Sequence, residues 1–278
     1  MIYQQTSRGI EIPSSPELDL GQTLDCGQCF RWQILPDGVY QGIAMGRRLT
    51  ITEQGGTVLF HDVTAQDFES IWAPYFDLDF DYACVRNDLS EIHPALCEAA
   101  QFAPGIRLLR QDPWEALCSF IISQNNNIPR IKGIVDRLCQ LLGEERDGFY
   151  DFPTPQCLAE QTVESLAPVR SGFRAKYLID AAQKVAGGQV NLAELSVMPL
   201  QEARQSLMTI YGVGEKVAEC ALLYGLHRLE AFPMDVWMKR AMAVLLPGYR
   251  PEQLGAYAGI AQQYLFHYSR CNAQLFTA

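Results

Sequence analysis

With 278 residues, 48% hydrophobic and 19% charged, the chain exceeds one average domain and carries enough apolar surface for a sizeable core, in one large or two modest domains. Its 32 acidic against 22 basic residues leave a net charge of −10, which excludes a nucleic-acid binder that relies on bulk positive charge. A site built from helix N-termini and backbone amides needs few cations and stays open.

No run is long enough for a membrane span, and Met1 to Arg8 lack a basic segment followed by an apolar one. An intracellular protein is expected, in the cytoplasm or, in a bacterium, at the nucleoid. The nine cysteines are odd in number and scattered, which suits a reducing compartment. Cys26 and Cys29 have metal-type spacing, but no second pair completes a tetrahedral set, so two semi-buried thiols are expected and no metal.

Up to about residue 65 the signals are those of strands. Phe30 to Ile34, Val39 to Ala44, Arg48 to Thr52 and Thr57 to Phe60 are short and rich in β-branched and aromatic residues, with Gly- and Pro-containing turns between them. Their spacing predicts an antiparallel meander. From Ala65 the signals become helical. Asp112-Pro113-Trp114-Glu115 supplies an N-cap, a first-position proline and a capping-box glutamate for an apolar, buried helix that stops at Asn125-Asn126-Asn127. A helix then starts near Pro129, with Ile131, Ile134, Val135, Leu138 and Leu141 at core spacing.

Asp151 to Pro155 reads as a linker, and Thr162 to Leu166 as the opening of a short helix. Arg170 to Lys176 reads as a basic turn before a helix from Tyr177 to Val185, closed by Gly187-Gly188. Helices are expected over Pro199 to Met208, Glu215 to Leu226, Asp235 to Leu246 and Pro251 to Ser269. Strands first and helices after predict an α+β fold. The expected division is residues 1–105, an antiparallel sheet domain with short helices, and 106–278, all helical.

Ile210-Tyr211-Gly212-Val213-Gly214-Glu215-Lys216 joins two of these helices by a Gly-x-Gly turn. Such a turn supplies positive φ and close approach, and its amides at a helix start form an anion site. Lys216 just inside the helix, with Asp235 at the next helix start, adds a possible nucleophile and a carboxylate.

Together with Cys26-Gly27-Gln28-Cys29-Phe30-Arg31-Trp32, Leu108 to Pro113, Asn125 to Asn127, Pro233-Met234-Asp235-Val236 and Ala258 to Phe266, this hairpin resembles the 8-oxoguanine DNA glycosylase/lyases of the helix-hairpin-helix glycosylase superfamily, in order and over nearly the whole chain. The resemblance implies a twisted, TBP-like antiparallel sheet before the helical region. It also implies a monomer with no cofactor and no membrane association, acting on duplex DNA that carries 8-oxoguanine opposite cytosine.

By the same resemblance Lys216 is the nucleophile, forming a Schiff base that allows β-elimination, and Asp235 stabilises positive charge at C1′ while capping its helix. The Gly27 carbonyl would accept the N7–H that 8-oxoguanine has and guanine lacks. Gln262 would read the Watson–Crick edge, with Phe266 and Cys220 against the two base faces; plain core packing is the ordinary fate of residues like these last two. Asn125 and Phe173 would fill the vacated stack, and Arg130 and Arg174 would hydrogen-bond the orphaned cytosine. Gly212, Gly214, Val217 and Trp237 match positions along the DNA backbone. Tyr211 stands where many of these hairpins have proline, and Trp237 where some relatives have histidine. No cysteine cluster follows the hairpin, so an iron–sulfur cluster is not expected. The competing readings are a monofunctional alkylated-purine glycosylase of the same superfamily and a non-catalytic hairpin module.

Overall fold

The alternation between residues 30 and 60 becomes four neighbouring strands of a six-stranded antiparallel sheet in the computed structural model, which describes residues 2–276. The strands are β1 (Gln4–Thr6), β2 (Gly9–Pro13), β3 (Trp32–Leu35), β4 (Val39–Ala44), β5 (Arg47–Gln54) and β6 (Thr57–His61), in the order β1-β2-β6-β5-β4-β3. The meander holds, but two strands were not anticipated. β1 is short and polar, and β2 pairs with β6 from far along the chain, setting Ile10 opposite Phe60 and Ile12 opposite Val58. β3 begins two residues later than expected because Phe30 leaves the sheet and packs edge-on against Phe120, with ring centroids 5.6 Å apart.

One face of the sheet buries Ile10, Ile12, Leu49, Ile51, Val58 and Phe60 against Phe68, Trp72 and Phe76. Each large apolar side chain buried this way contributes roughly 1.5–3 kcal/mol. Trp32 lies over Gly42, where a Cβ would sit 2.2 Å from the indole, and its N–H donates to the Tyr75 hydroxyl at 2.8 Å.

The longer helices, labelled in chain order, are α1 (Tyr82–Ile92), α2 (Pro94–Phe102), α3 (Pro113–Ser123), α4 (Ile128–Leu142), α5 (Ala175–Ala186), α6 (Leu200–Met208), α7 (Glu215–Leu226), α8 (Val236–Leu245) and α9 (Ala258–Cys271). They share a second core, to which α1 and α2 already contribute Tyr82, Val85, Leu89, Leu96 and Ala99. Asp112 caps α3 as expected, accepting from the Glu115 N–H at 2.8 Å. The Glu115 carboxylate does not close a capping box; it turns to Arg31, 3.4 Å away. α3 and α7 meet closely at Gly225, where a Cβ would stand 2.9 Å from that of Ala116.

Two helix expectations fail for local reasons. Thr162 to Leu166 form a turn, closed by reciprocal bonds between Thr162 and Ser165, that leads into a 3₁₀ turn at Ala167–Val169. The last helix is interrupted: Pro251–Tyr257 is a 3₁₀ segment broken at Gly255 (φ 72°), and α9 starts only at Ala258. An unanticipated hairpin, Glu145–Arg146 with Phe149–Tyr150, turns at Asp147 and Gly148, both at positive φ.

Candidate active site

The α6–α7 turn is anchored from below and open above. Ile210 and Val213 are buried, and the Val213 N–H returns to the Ile210 carbonyl at 3.0 Å. Gly212 has φ 79° and lies on the Tyr177 ring, where a Cβ would be 2.5 Å from the ring carbons. Gly214 begins α7 with no side-chain cap and nothing within 4 Å of a Cβ position; the Val217 N–H returns to the Gly214 carbonyl at 3.1 Å, which leaves the Glu215 and Lys216 amides of the first turn for a ligand. The exposed Tyr211 donates its N–H to Asp180 at 2.6 Å.

Lys216, half-buried on the first turn of α7, donates to the Ser123 hydroxyl at 3.3 Å and lies 5.4 Å from the centre of the Phe120 ring. Asp235 caps α8, accepting from the Met238 N–H at 2.6 Å. Both residues line a cleft of about 620 Å³ with Ser123, Asn125, Gly214, Val217 and Trp237. The nucleophile and carboxylate expected from sequence, together with the Asn125 loop, thus share one opening. Cys220 is buried behind Lys216; burial pushes its thiol up to about 11, against the opposing charge of Lys216.

Gly27 and Phe266 are neighbours. Gly27 has φ 90°, and a Cβ there would lie 3.6 Å from Ile128, 3.7 Å from Arg270 and 3.9 Å from Phe266. The turn that carries Gly27 is fixed by Gln28, which sequence reasoning passed over. Its buried side chain donates to the carbonyls of Thr23 (2.9 Å) and Arg107 (2.8 Å) and accepts from the Leu109 N–H (2.9 Å). Gln262 is buried: its carbonyl accepts from the Tyr224 hydroxyl at 3.1 Å and its amide donates to the Pro233 carbonyl at 3.3 Å. Tyr224 stacks on Phe120 at 5.1 Å, which joins Gln262 to the ring beneath Lys216. Tyr224 lies four residues after Cys220 and eight after Lys216, a helical spacing that marks it as part of the same face.

Asn125 is exposed at φ 51°, a left-handed conformation that asparagine tolerates better than most residues. The loop is braced from beneath by Arg174, only 3% exposed, which donates to the carbonyls of Gln124 (2.8 Å) and Ser171 (3.2 Å). Burial, then the nearby Arg130, lowers the Arg174 pKa from its ordinary value. Arg130 itself is exposed, and Phe173, 49% exposed, stands 4.3 Å from the Arg174 guanidinium. The indole N–H of Trp237 donates inward to Ser269 at 2.9 Å. Among the described residues no group of three or more His, Cys, Asp or Glu side chains could hold a metal, and Cys26 and Cys29 are buried free thiols.

The chain matches the family described as 8-oxoguanine DNA glycosylase, N-terminal domain, over residues 11–117, and the HhH-GPD superfamily of base excision DNA repair proteins over residues 118–248. It is 34% identical to the N-glycosylase/DNA lyase OGG1 of Arabidopsis thaliana, with 90% of this chain and 77% of that protein covered. Among solved structures, it is similar to MBOgg1 in complex with a low affinity DNA ligand, at 41% identity and TM-score 0.91 over 98% of this chain and 100% of that one. It is also similar to the Clostridium acetobutylicum 8-oxoguanine glycosylase/lyase in complex with double-stranded DNA containing cytosine opposite 8-oxoguanine, at 35% identity and TM-score 0.90 over 98% and 99% of the two chains.

Proposed function

The chain belongs to the 8-oxoguanine DNA glycosylase/lyases of the HhH-GPD superfamily and is a DNA N-glycosylase and abasic-site lyase, and we propose that it excises 8-oxoguanine opposite cytosine through a Schiff base at Lys216. The shared cleft of Lys216 and Asp235 carries this reading. A nucleotide held in the duplex hides its C1′, so it must leave the stack, at a cost of a few kcal/mol that pocket contacts offset. The neutral Lys216 amine then attacks C1′, and the C1′–N9 bond breaks with its electron pair going to the base. The Asp235 carboxylate stabilises the positive charge that develops at C1′. Opening of the sugar leaves a C1′=N Schiff base, loss of a C2′ proton expels the 3′ phosphate, and water later returns the lysine.

Selectivity in this reading comes from outside the hairpin. The Gly27 carbonyl accepts N7–H of the lesion and meets a lone pair in guanine, and an unpaired buried polar group discriminates strongly. Gln262 reads the base edge from its hold between Tyr224 and Pro233, while Phe266 and Cys220 flank the base. Asn125 and Phe173 occupy the gap, with Arg130 on the orphaned cytosine and Arg174 serving that contact through the loop it braces. Gly212, Gly214, Val217 and Trp237 contribute to the hold on the DNA backbone.

Borohydride trapping tests the mechanism. The wild-type protein should form a covalent adduct with 8-oxoguanine duplex, and Lys216→Gln should bind the same duplex without forming one. Absence of a wild-type adduct, or undiminished strand cleavage by the variant, would overturn it.

A further inference from the structure

We propose that Lys239 and Arg240 form a grip for a phosphodiester flanking the flipped nucleotide, an assignment that rests on the glycosylase reading of the same cleft. The first turns of α8 sort their side chains sharply. Met238 is fully buried, and Trp237 commits its N–H to Ser269 and its ring to the neighbourhood of Phe276. Lys239 and Arg240 are exposed, and both line the cleft that holds Lys216 and Asp235.

Neither cation lies within ion-pairing distance of a carboxylate among the described residues, although the chain has an excess of acids and pairs many other cations. Arg86 meets Glu17 at 2.7 Å, Arg110 meets Asp77 at 2.8 Å and Lys184 meets Asp180 at 2.9 Å. Two adjacent unpaired cations beside a catalytic cleft make a local positive field that the net charge conceals.

Geometry points to the ligand. Lys239 follows Asp235 by four residues, about 6 Å of helix rise. A sugar whose C1′ lies between Lys216 and Asp235 carries one phosphate on each side, within reach of a lysine one turn farther along. Lys239 also borders a second cavity of about 650 Å³, whose four carboxylates, Glu215, Glu219, Glu230 and Glu252, outnumber Lys239, Lys216 and Arg204. The cleft with Asp235 and Arg240 carries one carboxylate against three cations, Lys216, Lys239 and Arg240, and is the more favourable side for a phosphate.

The test uses the full chain and duplexes with a tetrahydrofuran abasic analogue opposite cytosine. Binding is measured from 50 to 200 mM salt for the wild type and for the Lys239→Ala/Arg240→Ala variant. Each neutralised phosphate contributes roughly 0.9 to the slope of log affinity against log salt, so loss of the one phosphodiester held by both cations should flatten the slope by roughly 1. Replacing the phosphate immediately 5′ or 3′ to the analogue by a neutral methylphosphonate should weaken wild-type binding at one of the two positions, and that penalty should vanish in the variant. The conservative exchange Lys239→Arg/Arg240→Lys should keep both properties. An unchanged salt slope, or an equal methylphosphonate penalty in both proteins, overturns the grip. Failure of the wild type to release 8-oxoguanine would instead overturn the reading beneath it.

Discussion

The Phe232 N–H donates at 2.6 Å to the buried carboxylate of Glu219, one turn along α7 from Lys216. The other oxygen of Glu219 accepts from Arg204 on α6. One side chain therefore ties the lysine helix to its hairpin partner and to the segment that ends in Asp235. Glu219→Ala leaves the buried Phe232 amide without an acceptor, while Arg204 keeps Gln201 and, at 4.0 Å, Glu215; an unsatisfied buried amide costs about 1–3 kcal/mol. Glu219→Gln keeps one carbonyl acceptor for Phe232 but turns its NH2 donor toward the Arg204 guanidinium, so it loses the charge and the Arg204 pair together. Single-turnover base release should fall in the order wild type, Gln, Ala, with affinity for an abasic-analogue duplex unchanged in the Gln variant. Equal rates for wild type and Gln would show that the Arg204–Glu219 pair does not position the site.

The two glycines of the hairpin should separate fold from binding. Gly212→Ala forces a left-handed residue and a Cβ 2.5 Å from the Tyr177 ring, so folding stability should drop by at least about 1–2 kcal/mol. Gly214→Ala has ordinary φ (−96°) and no atom within 4 Å, so thermal unfolding should hardly move. In the proposed binding mode its methyl group would nonetheless stand in the path of the DNA backbone, and duplex affinity should fall several-fold. Unchanged affinity in Gly214→Ala would remove the α7 start from the DNA interface.

These contrasts show what was legible in the sequence. The Gly-x-Gly spacing, the cap residues Asp112 and Asp235 and the apolar periods are local signals, and they placed most helices and the central strands within a residue or two. The pairing of β2 with β6 is non-local, and Gln4-Gln5-Thr6 has no apolar alternation to reveal β1. Side-chain direction is likewise tertiary. The motif marked Arg174, but only the loop carbonyls packed above it explain why its donors turn inward to Gln124. Gln28 was visible inside a quoted motif, yet its hold on residues 107 and 109 depends on two distant segments meeting.

Gly27→Ala should uncouple lesion choice from lyase chemistry. The surrounding atoms leave room for a methyl group, since its neighbours lie at 3.6–3.9 Å, but φ 90° is unfavourable for any residue with a Cβ. Relaxation of that strain would rotate the adjoining peptide and its carbonyl. Excision of 8-oxoguanine should fall at least tenfold, about 1.4 kcal/mol of transition-state stabilisation. Cleavage at a preformed abasic site, where no base is read, should stay close to wild type. Equal losses on both substrates would assign Gly27 to folding and not to recognition.

Stability should depend on pH through Glu115. Burial raises this carboxyl from 4.5 to about 7, overcoming the opposing charge of Arg31. Between those two values the folded protein holds a proton that the unfolded chain releases, so this contribution is fully present below 4.5, declines as pH rises and is gone above about 7. The displacement corresponds to about 3 kcal/mol. Asp77 works in the opposite sense: burial raises its pKa, but His227 and Arg110 together lower it below the ordinary value, so its contribution is lost as pH falls. A comparison with Glu115→Gln cancels Asp77, which both proteins retain. Measured by urea denaturation, the stability of the wild type relative to Glu115→Gln should decrease by about 2.5 kcal/mol from pH 5 to pH 8. A constant difference would mean that Glu115 is ionised throughout and that its pairing with Arg31 outweighs the cost of burying it.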